Sequence, residues 1–391
     1  MKILEAKDKI AIVVVGCNRI KSIKRLLKSL CEAIYPNIEI PLVISIDASG
    51  DIDLYEYVNK FWWSNGPKYV NIQKERLGLK KHIIQCGDLT KYFRGIILLE
   101  DDLFVSPYFY QYALAAVDKY GDDPRISQIS LYRNETNGFV GLPIKFLENG
   151  SDAFLYRLVS SWGECWTSQM WRSFRSWYDT CSESDILNSE IPPICKQWTK
   201  AWSKYYNAYN VLNDKYVVYP YVSHSTNFSD AGVHGNSNNT FVQVNLMYGE
   251  RCYNFFDYED MEKYDAFCNN TSVVNWLGLK EEDVDLDFYG FRGVEQTKRF
   301  LLTTKVMPYK LVKSYALHFR PIELNIKYNL EGTGLYLYDT TIEKSNHKSV
   351  RFSNEMIDYS LQGLNTQELG HVYYRYIKDG IKRKLKRIFN R

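Results

Sequence analysis

Three adjacent acids, Glu100, Asp101 and Asp102, end the apolar run Gly95–Leu99 (GIILL). Carboxylates set side by side repel one another. Apolar neighbours make their ionisation costlier still, unless a cation or hydrogen-bond donors face them. A divalent metal held through one or two carboxylates and the oxygens of a phosphate answers that need. A solvated turn after a strand would also carry such a triplet, so its surroundings decide between the two. Two more polar groups sit at the ends of apolar runs. Asn18-Arg19 follows Ile10–Gly16 (IAIVVVG), and Asp47 follows Leu42–Ile46.

The intervening segments have helical character. In Ile20–Ile34 the apolar residues Ile23, Leu26, Leu27 and Leu30 recur at helical spacing. Leu54–Trp63 and Leu79–Tyr92 read the same way, with a short strand at Tyr69–Ile72 between them. Ser106-Pro107 predicts a helix start, Ser as cap and Pro in the first turn, running to Tyr120. Residues 10–120 thus alternate strand and helix four times, which predicts a mostly parallel sheet with helices on both faces. Ligands of such sheets bind beyond the carboxyl ends of the strands. Arg19, Asp47 and Glu100–Asp102 all fall there, so the fold would gather them into one crevice.

The 391 residues suit a large core, with 45% hydrophobic and 24% charged residues, so disorder is not expected. Aromatics reach 15%, and six of the nine Trp lie between Trp162 and Trp202. Flat rings are platforms for sugar faces as well as core material. On this reading Trp171 and Trp177 belong to a helix core, whereas Trp162, Trp166, Trp198 and Trp202 are candidates for stacking. The eight Cys show no metal-finger spacing and read as reduced, with Cys17, Cys31 and Cys86 in apolar stretches. Charges interrupt Met1–Ile10, so no signal core is expected, and no run approaches the ~20 apolar residues of a membrane span.

The resemblance to a known family rests on several motifs. Leu98–Pro107 (LLEDDLFVSP) is similar to the Glu-Asp-Asp form of the DxD motif in the N-acetylglucosaminyltransferase I family, which has the GT-A fold. Val13–Arg19 (VVVGCNR) and Ser45–Gly50 (SIDASG) resemble that family's first strand and uracil-side turn. Trp162-Gly163 with Trp166 and Trp171 resembles the acceptor side of bacterial capsule and O-antigen glycosyltransferases. Tyr219–Gly235 (YPYVSHSTNFSDAGVHG) resembles their closing loop. The likeness covers about residues 10–240.

The resemblance implies a donor nucleotide-sugar, UDP-linked, with Mn²⁺ or Mg²⁺. Asp102 would bind the metal, Glu100 and Asp101 would hold the ribose, Asp47 would meet the base, and Arg19 would meet the diphosphate. Arg76, and the Lys80-Lys81-His82 group, could reach the diphosphate or form a solvated face. His234, with Gly232 and Gly235 beside it in the closing loop, could close over the diphosphate, provide a second metal ligand or be polar surface, and Asn227, Thr226 and Ser229 could donate to phosphate. An inverting transfer needs a carboxylate base. The family's Trp-Asp element is absent here, where the chain reads Trp202-Ser203-Lys204-Tyr205. Asp230 and Glu164 are the candidates that remain for catalysis.

The C-terminal end carries its own signal. Ile377, Ile381, Leu385, Ile388 and Phe389 form one helical stripe among eight Lys/Arg between Arg375 and Arg391. With Asp379, this tail carries +7 of a total of +3, so the residues before it sum to −4. That distribution does not fit a nucleic-acid binder and does fit a helix lying on a membrane surface. The expected plan is an α/β, Rossmann-like GT-A domain over 1–245 (donor half 1–125, acceptor half 126–245). A mixed α+β extension over 246–372 and a basic amphipathic helix over 373–391 would follow. The acceptor would be a glycan or lipid-linked oligosaccharide at the cytoplasmic face of a bacterial membrane. Rival readings are a nucleotidyltransferase, which would want a glycine-rich phosphate loop that Gly16–Arg19 lacks, and an inactive glycan-binding module.

Overall fold

The computed structural model describes residues 3–230, 242–293, 298–344 and 353–361, together with single positions between 367 and 381. His234 and most of the 373–391 tail therefore lie outside the described residues.

The first half alternates as expected. β1 (Ala6–Gly16), α1 (Ile20–Glu32), β2 (Leu42–Ile46), α2 (Ile52–Lys60), β3 (Lys68–Ile72), α3 (Leu79–Gly87) and β4 (Phe93–Glu100) follow in order. β1 pairs in parallel with β2 on one side and β4 on the other, and β2 pairs in parallel with β3. The spatial order β4-β1-β2-β3 means that the chain turns back across β1. The two sides of β1 are both apolar. Ile10, Ile12 and Val14 pack against α1 and α2 through Leu26, Leu27, Leu30, Leu54 and Val58. Ala11, Val13 and Val15 pack against α3 through Ile83 and Ile84. Helices on opposite faces leave a gap between the ends of β1 and β4, the switch point at which such sheets bind ligands.

Next come β5 (Leu103–Val105), α4 (Phe109–Tyr120), β6 (Ile126–Ser130), a minimal hairpin β7 (Thr136–Asn137) and β8 (Leu142–Pro143), β9 (Ala153–Tyr156) and β10 (Glu164–Thr167). Ser106 does not cap α4. The helix begins at Phe109 behind Tyr108, and the Ser106 hydroxyl bonds His224 Nδ1 at 3.1 Å instead. α5 (Ser168–Tyr178), α6 (Glu183–Asn188), α7 (Pro193–Lys196), α8 (Ser203–Leu212), β11 (Tyr216–Pro220), β12 (Ser225–Asn227) and β13 (Lys263–Tyr264) complete the large body. Its nine-stranded sheet has the order β13-β9-β11-β6-β10-β4-β1-β2-β3, mostly parallel, with β10 antiparallel to β4 and β6. The sheet thus takes its edge strand from 263–264, beyond residue 245.

The C-terminal part is α+β: α9 (Val273–Trp276), β14 (Val284–Asp287), β15 (Phe300–Thr303), β16 (Tyr309–Ala316), α10 (Leu324–Lys327), β17 (Gly334–Glu343) and α11 (Asn354–Ser360). Its four-stranded sheet, β14-β15-β17-β16, shares one apolar core with the large sheet. Phe154, Val217 and Tyr219 of the large sheet pack with Leu302, Leu335 and Met356.

The tryptophans correct an expectation. Trp166 and Trp202 are 0% and 1% exposed; they pack with each other and with Tyr206, and Trp166 also meets Trp171. They are core and cannot stack on a sugar. Trp198, half-buried, packs against a small core beside α7. Cys31 is exposed rather than buried, and no cysteine among the described residues is bridged.

Candidate active site

The crevice forms where β1 and β4 end. Val15 pairs with Glu100, so Arg19 and the acids after Glu100 emerge side by side. Arg19 grips Asp101 with two nitrogens, Nε donating to Oδ2 at 3.2 Å and Nη2 donating to Oδ1. Its Nη1 donates to Asp102 Oδ2 at 3.1 Å and to the Asp230 carbonyl at 3.0 Å. Such a bidentate guanidinium–carboxylate pair, mostly out of water, is among the strong charge-assisted contacts. Arg19 therefore organises the acids as well as lining the crevice, which sequence alone had not indicated.

One guanidinium does not neutralise three carboxylates. Burial pushes the Glu100 carboxyl up to about 8, and the charges of Asp102 and Asp101 add to the shift. Burial also lifts Asp101 to about 6, against the pull of Arg19. With all three ionised, the group carries two uncompensated negative charges. Among the described residues no three His, Cys, Asp or Glu form a ready cage for a cation. The donor set instead fits a divalent ion that takes one or two carboxylates here and the rest of its oxygens from a phosphate.

A second chain segment closes the arrangement. β12 pairs antiparallel with β5, placing Asn227 opposite Leu103. Asn227 Nδ2 donates to Asp102 Oδ1 at 3.2 Å, and the Phe228 amide donates to the Asp102 carbonyl at 2.9 Å. The Asp230 carboxylate accepts from Ser22 Oγ at 2.6 Å and is ion-paired with Arg25. These two donors hold its pKa below the usual carboxylate value despite partial burial. Arg25 also lies 3.9 Å from the centre of the Phe228 ring. Sequence reasoning missed Ser22 and Arg25. Arg19, Ser22 and Arg25 recur every third residue, and a polar stripe beginning at Arg19 was the signal that could have found them.

Glu164 stands opposite Leu98 near Glu100, wholly buried, and neither carboxyl oxygen has a hydrogen-bond partner among the described residues. Burial, and secondarily the charge of Glu100, raises its pKa well above the ordinary value and so favours the protonated form. Gly163 before it has φ of +106°, and a Cβ there would stand 2.9 Å from Ser225 Oγ. Only glycine lets β10 enter so close to β12. Trp162, the ring beside it, meets Tyr132 edge-on at 4.7 Å and stays partly exposed.

Asp47 is buried, and its carboxylate accepts from the amides of Ala48 (2.9 Å), Leu77 (2.8 Å) and Gly78 (3.0 Å). It thereby ties the 77–78 turn to the end of β2, leaving about one of its roughly four lone-pair positions for another donor. Arg76, next to that turn, is exposed. The charges of Arg76, Asp47, Asp101 and Arg19 all act on the Cys17 thiol, which marks the point on which they converge. His82 departs from the expected diphosphate group. It is buried against Ser45 Oγ at 2.8 Å, and burial lowers its pKa to about 4, so it is a neutral core residue. Lys80 turns instead to the Tyr205 ring, 4.8 Å away.

No family model matches the chain, and no curated protein matches it. Partial likenesses occur among solved structures. S. aureus TarS 1-349 in complex with UDP-GlcNAc shares 15% identity over 58% of this chain and 60% of its own, with TM-score 0.37. The mannosyltransferase PcManGT from Pyrobaculum calidifontis, with GDP-Man and Mn²⁺, shares 10% identity over 47% of this chain and 53% of its own, TM-score 0.32. GalNAc-T7 with UDP, GalNAc and Mn²⁺ shares 13% identity over 54% and 42%, TM-score 0.38. The chain thus spans about 60% of the TarS chain it matches.

Proposed function

We propose that this chain is a glycosyltransferase of the GT-A kind that moves a sugar from a nucleotide-sugar, UDP-linked, to a glycan acceptor, with inversion. The observation that carries this is the cluster of Glu100, Asp101 and Asp102 at the β1/β4 switch point, three carboxyl groups with more acid than the single guanidinium of Arg19 offsets. That deficit suits a divalent cation accompanied by a diphosphate. Mn²⁺ or Mg²⁺ bound through Asp102 would stabilise the charge that develops on the departing nucleoside diphosphate. Arg19 and Arg76 border the same place and supply fixed positive charge there. Asp47 keeps an acceptor position for an N–H of the base, and Glu100 faces the ribose.

Of the two acids considered for catalysis, Asp230 suits the role of base. Its side chain is 24% exposed and ionised. Glu164 is wholly buried, which favours its protonated form and keeps an acceptor hydroxyl from it, so shaping the site suits it better. To act, Asp230 would exchange Arg25 for the acceptor hydroxyl, take its proton, and leave the oxygen free to attack the anomeric carbon as the diphosphate departs. Trp162 at the rim offers a partly exposed ring to the acceptor.

The acceptor we favour is a lipid-linked or growing surface polysaccharide. Among the described residues no helix is long and apolar enough to cross a membrane. Ile377 and Ile381 of the tail are helical and exposed, as a stripe meeting a membrane surface would be. Titration calorimetry with UDP, GDP and dTDP, with and without Mn²⁺, tests the donor site. Metal-dependent binding of one nucleotide, lost in Asp102→Ala, is the expected result. Binding of none would refute the reading.

A further inference from the structure

Both carboxyl oxygens of Asp102, whose side chain is 14% exposed, already accept a hydrogen bond from the chain. Oδ2 takes Arg19 Nη1 at 3.1 Å, and Oδ1 takes Asn227 Nδ2 at 3.2 Å. A cation that used Asp102 would compete with these two donors, one of them a guanidinium, for the same carboxylate charge. We propose that Asn227, with Arg19, holds Asp102 in a resting arrangement that competes with the divalent cation, so that Asn227 is a positioning residue that sets the cation affinity of the site. The inference rests on Asp102 being the cation ligand in the reading above.

The geometry makes the exchange local. The Asn227 side-chain oxygen accepts from the Ser229 amide, and Ser229 sits at φ of +51° to make that turn. The amide's NH₂ end, a donor that cannot ligate a cation, is therefore the end that faces Asp102. The segment does not depend on this one contact. Phe228 N bonds the Asp102 carbonyl, the β12–β5 ladder continues through Thr226 and Ser225, and Asp230 is fixed by Ser22 and Arg25. Arg19 likewise keeps both its bonds to Asp101 if it gives up Asp102. Asp102 can thus turn to a cation at the cost of two hydrogen bonds, with the crevice walls unmoved. Removing the Asn227 donor takes away one of the two competitors.

The test is Mn²⁺ binding without nucleotide, read as free Mn²⁺ by electron paramagnetic resonance, for the wild-type chain, Asn227→Ala and Asn227→Ser. Melting by circular dichroism checks folding. Ser keeps an acceptor for the Ser229 amide yet is too short to reach Asp102, so it stands if Ala unfolds. The expected result is Mn²⁺ bound about tenfold more tightly in both variants, the scale of one hydrogen bond to a charged group. Unchanged or weaker affinity overturns the proposal, the weaker case making Asn227 a support or ligand of the bound state. No Mn²⁺ binding in any of the three also overturns it. UDP titrated into the wild-type chain with excess Mn²⁺ reports separately on the nucleotide site, so the two readings fail independently.

Discussion

The acids at the end of β4 and the acids beneath the C-terminal sheet are both buried, yet they meet different company. Under the C-terminal sheet, Asp285 pairs with Arg292 at 3.1 Å and Lys298 at 3.9 Å. Asp287 pairs with Lys305 at 2.8 Å, and Asp265 faces Arg292 at 3.7 Å. Each of these three acids has a cationic partner there, Arg292 reaching the exposed Glu190 as well at 3.9 Å, and Arg292 also lies 4.3 Å from the Phe267 ring centre. At the crevice, Arg19 is the one cation paired with the acids at the end of β4 among the described residues, and burial pushes up Glu100 and Asp101. A cluster that only has to hold a fold is neutralised from within the chain. A cluster short of positive charge is built to receive it from a ligand, which is why perturbed acids in a crevice point to function.

Variants can break that contrast. The largest effect is expected from Asp230→Asn in the crevice. It should lower kcat about 10²–10⁴-fold, the contribution of a positioned base, while nucleotide binding by calorimetry stays near wild type. Equal loss of binding would remove Asp230 from the role of base. Next, Arg292→Met in the neutral cluster should cost about 3–5 kcal/mol in urea unfolding, because it leaves buried carboxylates without their partner, and it should spare nucleotide affinity. A loss of nucleotide affinity would mean that the two clusters are not separate in role.

The third prediction concerns pH. Glu323, 1% exposed, accepts from Tyr264 Oη at 2.6 Å where β13 meets α10, and burial raises its pKa from 4.5 to about 7. A raised carboxyl favours the folded state while it is protonated. Its contribution is present in full below about pH 4.5 and is lost as pH rises to 7, on the order of 3 kcal/mol across that window. Glu323→Gln should flatten that slope in unfolding measured at pH 5 and pH 8. An unchanged slope would assign the pH dependence elsewhere. The smallest effect is expected from Lys298→Met, at the partly exposed edge of the neutral cluster, where unfolding should shift by less than about 1 kcal/mol. A loss matching that of Arg292→Met would mean the outer cation matters as much as the inner one.

The amino-acid sequence determined the alternation of strands and helices, because period-2 and period-3.6 apolar patterns are local properties of the chain. The ends of β1, β2 and β4 were legible for the same reason, and with them Arg19, Asp47 and Glu100–Asp102 as neighbours. Which partner each of these residues takes was not legible. Arg19 bonds Asp101, 82 positions away, and Ser22 bonds Asp230, 208 positions away. Trp166 and Trp202 carried the composition of a sugar platform, but the face of the sheet on which they fall made them core. His82 looked like a ligand contact, but the packing of α3 turned it to Ser45, and the bonds of Asp47 to the 77–78 turn were equally out of sight. Secondary structure follows from neighbours along the chain. Charge pairing, burial and the choice between core and crevice depend on elements far apart in sequence, and only tertiary packing brings those together.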